Sequence, residues 1–177
     1  MPDATEVFIS HHDDIDSSQY DTQYLTKVIG HVMTVMSNKM YDGLKFAYFN
    51  NASDYWHKPK MVDIYITNDI EGRQLNLDAR GKDYATNILS YPSALSSDIM
   101  EVMGGVPLGE LIICHDVLVR EAKEQNKPFI NHLTHLLVHG LLHLLGFDHE
   151  ISDKDAVEME NFEIEILREL GIDDPYS

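Results

Sequence analysis

Residues 139–149 read His-Gly-Leu-Leu-His-Leu-Leu-Gly-Phe-Asp-His, a short apolar segment that carries three histidines. Side chains four residues apart lie on one face of a helix, so His139 and His143 can reach the same ion. Gly146 can adopt the left-handed conformation that ends a helix, which would allow His149 to supply a third nitrogen. Three neutral imidazoles suit Zn²⁺ and leave a coordination position open for water, as in catalytic zinc sites. The spacing therefore favours a catalytic metal site over histidines that merely interrupt an apolar helix.

Three polar residues near this segment have two interpretations each. His132 and His135 continue the histidine series at helical spacing. They either support the metal ligands or are additional core or surface histidines. Asp148 either orients a ligand imidazole through its second ring nitrogen or caps backbone N–H groups at the turn.

The same histidine spacing occurs in metzincin proteases, where a glutamate follows the first histidine and activates the zinc-bound water. In this chain that position is Gly140, which can transfer no proton. Peptide hydrolysis would need a base from elsewhere, so the protease interpretation has little support.

Apolar periodicity outside this segment predicts both helices and strands. Pro128 and Gly146 delimit a helix over 128–145, and Ser152 with Asp155 three residues later begins a last helix that Gly171 ends. The other predicted elements are strands at 5–9, 44–49, 61–67, 86–91 and 108–114, helices at about 17–38, 68–78 and 115–126, and loops at 50–59 and 92–107. The irregular alternation predicts an α+β fold, in which helices, including the histidine-rich one, pack on a single mixed β-sheet.

The chain has 177 residues, of which 44% are hydrophobic, and this length predicts a single domain over residues 1–177. A single cysteine, Cys114, excludes an internal disulfide and a cysteine-based zinc finger, and its apolar surroundings predict an inert core residue. No apolar run approaches about 20 residues, and the acidic N-terminus lacks the pattern of a signal peptide. We therefore expect a cytoplasmic protein without membrane partners.

Acidic residues dominate the charge, with 30 Asp and Glu against 13 Lys and Arg and a net charge of −17. Residues 1–22 contain six acids and no base, and residues 150–177 contain ten acids and two bases, whereas residues 23–149 contain 14 acids and 11 bases. This balance argues against binding of DNA or other nucleic acid through a broad basic surface. A local nucleic-acid site within residues 23–149 is compatible with this charge distribution. The acidic ends are expected to be solvated faces.

Four sequence blocks together resemble the YbeY family, bacterial endoribonucleases that act in ribosomal RNA maturation. One is the 139–149 segment. The others are Leu-Asp-Ala-Arg-Gly-Lys-Asp at 77–83, which leads into Thr-Asn-Ile-Leu-Ser-Tyr-Pro at 86–92, then Leu-Gly-Glu-Leu-Ile-Ile-Cys at 108–114, and Leu-Gly-Ile-Asp-Asp-Pro-Tyr at 170–176. The resemblance extends from about residue 60 to the C-terminus, and the first 60 residues carry no matching motif. Glu110 stands where the family usually has aspartate, so the carboxylate is retained on a longer side chain.

The resemblance implies that His139, His143 and His149 bind one Zn²⁺ per chain and that Arg80 faces the metal across a cleft. Arg80 and His139 are then the expected catalytic residues. A guanidinium is suited to phosphate because its donors are bidentate and it keeps its charge, although spacing alone would favour an ordinary solvated or salt-bridged arginine. The implied substrate is single-stranded ribosomal RNA, with roles in 16S rRNA 3′ end processing and ribosome quality control. The implied partners are the ribosome or its small-subunit proteins.

Several polar and aromatic residues remain open to two interpretations. Thr86, Asn87 and Ser90 either contact substrate or serve the backbone at a strand end, and His115 is expected to cap a helix or lie at the surface. The aromatic residues Phe46, Tyr48, Phe49, Tyr55 and Trp56 either stack on bases or, as we expect, build the core and a loop. Two other functions stay possible. They are a metal-dependent hydrolase of a small molecule or peptide, and a ribosome assembly factor whose zinc is only structural.

Overall fold

The computed structural model describes residues 4–148 and 152–176, and this part of the chain forms four strands and six α-helices. The strands are β1 (Thr5–His11), β2 (Lys60–Thr67), β3 (Ile88–Pro92) and β4 (Val106–Cys114). The helices are α1 (Thr22–Tyr41), α2 (Asp69–Arg80), α3 (Ser97–Val102), α4 (His115–Glu124), α5 (Phe129–Leu145) and α6 (Asp153–Glu169). Short 3₁₀ turns lie at Ser17–Gln19 and Ala52–Asp54.

The four strands form one mixed sheet in the order β1-β2-β4-β3. β1 and β2 are parallel, as are β2 and β4, whereas β3 is antiparallel to β4. The register shifts where Met61 pairs with Pro107 and the next residue, Val62, pairs with Gly109, so Leu108 is the extra residue of a β-bulge. The predicted α+β fold with a single mixed sheet is confirmed.

Helix α5 is the central helix of the core. It contacts β3 and β4, and α1, α4 and α6 pack against it. Eleven of its 17 residues are buried, among them Leu133, Leu137 and Leu141, so it is apolar on most of its circumference. Such a helix is stable only when neighbouring elements cover it, and each buried leucine stabilises the fold by roughly 1.5–3 kcal/mol. The packing therefore holds the α5 histidines in a fixed place.

Local capping explains where several elements begin and end. The side chain of Asn68 accepts a hydrogen bond from the backbone of Glu71 and begins α2, which ends at Gly81 in the left-handed conformation. Ser152 accepts a hydrogen bond from the backbone N–H of Asp155 and begins α6, as the sequence predicted.

The strand predicted at 44–49 is wrong, because the structure has turns there. Phe46 and Phe49 are buried, and their rings pack on Trp56 at centroid distances of 5.1 and 5.3 Å. The apolar spacing of this segment therefore serves aromatic packing and not a hydrogen-bonded ladder.

Two further element boundaries differ from the prediction. The predicted loop at 92–107 contains the short helix α3, whose C-terminal carbonyls of Met100 and Met103 accept hydrogen bonds from Lys58 Nζ at 2.9 and 2.8 Å. Helix α1 begins at Thr22 and not at about 17, because Asp21 caps it while Asp16 caps the preceding 3₁₀ turn. In both cases side-chain capping decides the boundary.

None of the helices described between residues 4 and 176 is both long and apolar enough to span a membrane.

Candidate active site

Four histidines follow one another along α5, and two of them converge. Nε2 of His139 lies 3.0 Å from Nε2 of His143, with ring centroids 4.5 Å apart. One helical turn separates these residues, so their rings share one face of α5. The structure thus brings together two of the three predicted metal ligands.

The helix ends as predicted at Gly146, which has a φ of 108° and donates its backbone N–H to the carbonyl of His143. A Cβ at this position would lie 2.7 Å from Cβ of Ala47, so the site requires glycine both for its backbone conformation and for space. The third predicted ligand, His149, lies outside the described residues.

The two imidazoles line an open cleft of about 560 Å³. Its walls are formed by the C-terminal end of α2, by β3 with the segment leading into it, and by α5. The lining residues are Ala79, Arg80, Thr86, Asn87, Ile88, Leu89, Ser90, Tyr91, His139, His143 and Asp148. Arg80, the expected phosphate-binding residue, and Asp148 thus line the same cleft as the two histidines.

A buried carboxylate on α6 lies directly behind His139. Glu163 has no exposed side-chain area, and its Oε1 accepts a hydrogen bond from Nδ1 of His139 at 2.5 Å. Its Oε2 accepts a hydrogen bond from the hydroxyl of Tyr176 and lies 3.6 Å from Nε2 of His135. Burial alone would raise the pKa of Glu163. The nearby His135, the hydrogen bond from His139, attraction to His139 and the bond from Tyr176 outweigh it and lower this pKa to about 2.

Glu163 and Tyr176 are the site residues that sequence reasoning missed. Nevertheless, Glu163 falls on the apolar face of α6, where Met159, Ile166 and Leu167 are also buried. A carboxylate at such a position must be paired, because burying an unpaired charge is costly. A glutamate on the apolar face of a predicted helix therefore indicates a buried, paired carboxylate, although the sequence does not identify its partner.

The donor set is suited to a borderline metal ion such as Zn²⁺. Two imidazole nitrogens bound to one tetrahedral ion at about 2.0–2.1 Å would lie roughly 3.3–3.4 Å apart, close to the observed 3.0 Å between the Nε2 atoms. The second ring nitrogen of His139 bonds to a carboxylate, as metal-bound histidines commonly do. Over residues 4–148 and 152–176, no three His, Cys, Asp or Glu side chains are grouped as a metal site. The described residues therefore supply two converging ligands.

The other histidines of this region have partners in the protein. His132 is buried, and its Nε2 lies 2.9 Å from Oε1 of Glu121 on α4, so it belongs to the core. His135 lies between His132 and His139 and contacts Glu163 and Tyr176, which places it in the supporting network of His139. His115 is the first residue of α4 and is partly exposed, but it does not cap the helix, because Cys114 occupies the N-cap position. Its Nδ1 lies 2.8 Å from the hydroxyl of Tyr20.

Two residues with open interpretations, Asn87 and Cys114, have contacts within the protein. Asn87 donates to Oε1 of Glu121 at 3.1 Å and accepts from the backbone N–H of Ile88 at 2.7 Å. Cys114 is buried, and burial raises its pKa to about 11, so its thiol stays protonated and unreactive. The expectation of an inert core cysteine is confirmed.

Most of the aromatic cluster is core, as expected. Phe46, Phe49, Tyr55 and Trp56 are buried, whereas Tyr48 is 47% exposed.

Glu110 does not reach the histidine cleft. It lines a separate depression on the sheet with Phe8, Met61 and Asp63, and it pairs in register with Asp63. Burial, and then the nearby Asp63, raise the pKa of Glu110. The longer side chain at this position therefore does not line the histidine cleft itself.

Fold and site together define an α+β protein with paired imidazoles and an arginine in one polar cleft. The family model described as Endoribonuclease YbeY matches residues 13–171. The chain therefore belongs to the YbeY endoribonuclease family, and endoribonucleases are hydrolases that cut RNA. The match begins within the first 60 residues, for which the sequence blocks carried no signal.

Individual relatives agree with this assignment. An "Endoribonuclease YbeY" of Psychrobacter cryohalolentis is 52% identical over 155 residues, covering 86% of this chain and 100% of the relative. A protein of the same name from Psychrobacter arcticus is 59% identical over 137 residues, covering 76% of this chain and 66% of the relative. A solution structure of a protein from Thermotoga maritima is 20% identical with a TM-score of 0.50, covering 94% of this chain and 91% of that one, and it supports the fold alone.

Proposed function

We propose that this chain is a zinc-dependent endoribonuclease that cuts single-stranded ribosomal RNA. The observation that carries the proposal is the convergence of His139 and His143, with 3.0 Å between their Nε2 atoms, in the cleft that Arg80 also lines. His149 is the proposed third ligand of one Zn²⁺ per chain. Within this function, 16S rRNA 3′ end processing and ribosome quality control are the proposed roles.

The chain's own residues bind and orient the phosphate. The Arg80 guanidinium donates two parallel hydrogen bonds to the non-bridging oxygens and balances the negative charge that develops on them. His139 and His143, which line the same cleft, would hold the metal. When bound, Zn²⁺ supplies a Lewis acid and can lower the pKa of a bound water to about 7.

The surroundings of Gly140 argue against peptide hydrolysis. A Cβ on Gly140 would lie 2.8 Å from Cδ1 of Ile88 and 2.9 Å from Cδ2 of Leu111, so this side of α5 is packed on the sheet. Gly140 itself carries no side chain that could act as a base. A protease of the metzincin type needs its base there.

The charge of the molecule suggests how RNA reaches the site. A net charge of −17 repels free RNA, whereas the Arg80 cleft lies in the nearly neutral middle of the sequence. We therefore propose that the ribosome or its small-subunit proteins present the RNA to the cleft. Ribosomal RNA is thus the proposed substrate, and the cytoplasm is the proposed location.

Cleavage of a precursor that contains the 3′ end of 16S rRNA tests this function. We compare the wild-type protein and His143→Ala, each with added Zn²⁺ and with a chelator, and measure bound zinc by elemental analysis. We expect one zinc per chain and cleavage in the wild type, and neither in His143→Ala. The exposed histidine variant His57→Ala, a matched control outside the cleft, should retain both.

Three outcomes would contradict parts of this proposal. Full zinc occupancy in His143→Ala would exclude the proposed ligand set. Zinc-dependent cleavage of casein at an ordinary enzymatic rate would favour a peptide hydrolase. If His143→Ala still supports ribosome maturation in cells, the chain acts as an assembly factor and not through catalysis.

A further inference from the structure

The last residues of the described chain reach the histidine site. Helix α6 ends at Glu169, Leu170 and Ile172 pack on the hydrophobic core, and Tyr176 returns to α5. The Tyr176 ring packs edge-on against His135 at a centroid distance of 5.5 Å, and its hydroxyl donates to Glu163. Although the residue is 45% exposed, its polar end is thus tied to a carboxylate that has no exposed area.

The contact between Glu163 and His139 determines which nitrogen of His139 carries the proton. Glu163 accepts a hydrogen bond from Tyr176 on one oxygen and bonds to Nδ1 of His139 with the other. A buried carboxylate that already accepts from Tyr176 is placed to accept from the imidazole as well, and this arrangement assigns the hydrogen of the contact to Nδ1. Nε2 of His139, the atom that faces His143, then keeps its lone pair for a metal ion.

We propose that Glu163 and Tyr176 are positioning residues that hold His139 in the Nδ1–H tautomer and in its ring orientation, which makes the C-terminal segment a part of the metal site. The proposal rests on the proposed zinc site for its effect on metal binding, but the tautomer is a property of the metal-free protein. Tyr176 acts one step further away, since it holds the second oxygen of Glu163 and thereby fixes the carboxylate plane.

A purely structural role for the buried carboxylate makes a different prediction. The same helix provides a matched comparison, since Oε1 of Glu121 lies 2.9 Å from Nε2 of His132. That pair links α4 to α5 but does not touch His139 or His143. If such carboxylate–imidazole contacts only stabilise the fold, substitution of Glu121 and substitution of Glu163 should change the His139 tautomer and zinc affinity to the same extent.

The test combines the protonation state of the His139 ring with zinc affinity. Long-range ¹H–¹⁵N spectra of the metal-free full-length chain identify the protonated ring nitrogen, and competition with a chromophoric chelator gives zinc affinity. In the wild type we expect the proton on Nδ1. In Glu163→Leu, which removes the acceptor, we expect a mixture of tautomers and zinc binding weaker by about 10–100-fold. Glu163→Gln retains an acceptor oxygen and should lose less.

Tyr176→Phe removes a single hydroxyl from a half-exposed residue, so it tests the proposal even where Glu163→Leu does not fold. We expect zinc affinity to fall by about 2- to 10-fold, the equivalent of one hydrogen bond. Glu121→Gln should leave both the His139 tautomer and zinc affinity unchanged. The proposal is overturned by an unchanged tautomer in Glu163→Leu, by unchanged zinc affinity in Tyr176→Phe, or by equal losses in Glu121→Gln.

The two hypotheses fail in distinguishable ways. If the wild type has the Nδ1–H tautomer but binds no zinc, the proposed metal site is wrong and the positioning of His139 stands. If the wild type binds zinc while the His139 proton lies on Nε2 in the metal-free protein, the positioning proposal is wrong and the metal site stands.

Discussion

Two arginines of helix α2 have different surroundings. Arg73 donates two hydrogen bonds to Asp83, from Nε at 2.7 Å and from a terminal nitrogen at 2.9 Å. Arg80, two turns later at the end of the helix, lines the cleft with His139 and His143. Arg73 thus anchors the segment that follows α2, whereas Arg80 lies in the cleft where we propose that phosphate binds.

We expect Arg80→Ala to retain zinc and nearly the native melting temperature but to lose RNA cleavage by about 10²–10³-fold, as when one preorganised charge-stabilising group is removed. Arg80→Lys should recover only part of the rate, because an ammonium cannot make the bidentate contact. Thermal melts and single-turnover cleavage of the same preparations check this. Arg73→Ala is the control and should cleave normally. Cleavage at the wild-type rate in Arg80→Ala would remove Arg80 from the mechanism.

Glu121 should give a pH-dependent contribution to stability. Burial would raise its pKa, but hydrogen bonds from His132 and Asn87 lower it overall below the ordinary 4.5. A carboxyl group whose pKa is lower in the folded state stabilises the fold above its unfolded pKa. That stabilisation is lost as the pH falls through the folded pKa.

Glu121→Gln is therefore expected to lower the free energy of unfolding by about 1–2 kcal/mol at pH 7, with the difference from the wild type shrinking below pH 4.5. Urea unfolding of the metal-free proteins at several pH values measures it. Glu124→Gln, at an exposed position of the same helix, should change little. A difference that grows towards acid pH would contradict the assigned sign.

At the scale of elements, β4 shows how tightly the sheet is built next to the site. Gly109 follows the bulge with a φ of 140°, and a Cβ there would lie 2.2 Å from the carbonyl oxygen of Tyr91 on β3 and 2.9 Å from Cδ2 of Leu144 on α5. The close approach lets β3 pair with β4 while α5 packs on both strands. A side chain at this position would move β3, which forms one wall of the cleft.

Gly109→Ala is expected to lower the free energy of unfolding by at least about 2 kcal/mol, because it adds backbone strain and a clash with a carbonyl group. Gly30→Ala in α1 is the matched control, since nothing lies within 4 Å of its added Cβ. That substitution should stabilise the protein by about 0.5–1 kcal/mol. Chemical denaturation of both variants measures the effects, and equal stabilities would show that the bulge accommodates a side chain.

At the scale of the whole molecule, charge repulsion opposes the packing of the acidic ends. Residues 150–177 carry ten acids against two bases, and most of the acidic residues of α6 are at least partly exposed. The folded state brings these charges closer together than the unfolded chain does, so it is destabilised at low ionic strength. Exposed ion pairs such as Arg120 with Asp69 contribute little in return.

Raising sodium chloride from about 0.01 to 0.1 M shortens the screening length from about 30 to 10 Å. We expect the melting temperature to rise by about 2–4 °C, the equivalent of about 1 kcal/mol for a chain of this size. Differential scanning calorimetry measures it, with potassium chloride as the control for a specific ion effect. A fall in melting temperature would mean that attractive ion pairs outweigh the net repulsion.

By itself, the sequence determined the features that depend on spacing along the chain. It predicted the histidine-rich helix, its end at Gly146, the start of α6 at Ser152 and the mixed α+β sheet, because helical periodicity and capping act over a few residues. It placed His139 and His143 on one face for the same reason. The segment at 44–49 was mistaken for a strand because Leu44, Phe46 and Tyr48 alternate as in a half-buried strand. The structure instead buries Phe46 and Phe49, three residues apart, and leaves Tyr48 exposed.

Only the tertiary structure decided which distant residues meet. The antiparallel pairing of β3 with β4, the Arg80 cleft and the contact of Glu163 with His139 all join elements that are separate in sequence. Such contacts depend on how helices pack on the sheet, and local propensity does not encode that packing. Glu163 is the clearest case, since nothing in the spacing of α6 indicates that its carboxylate bonds to an imidazole 24 residues earlier.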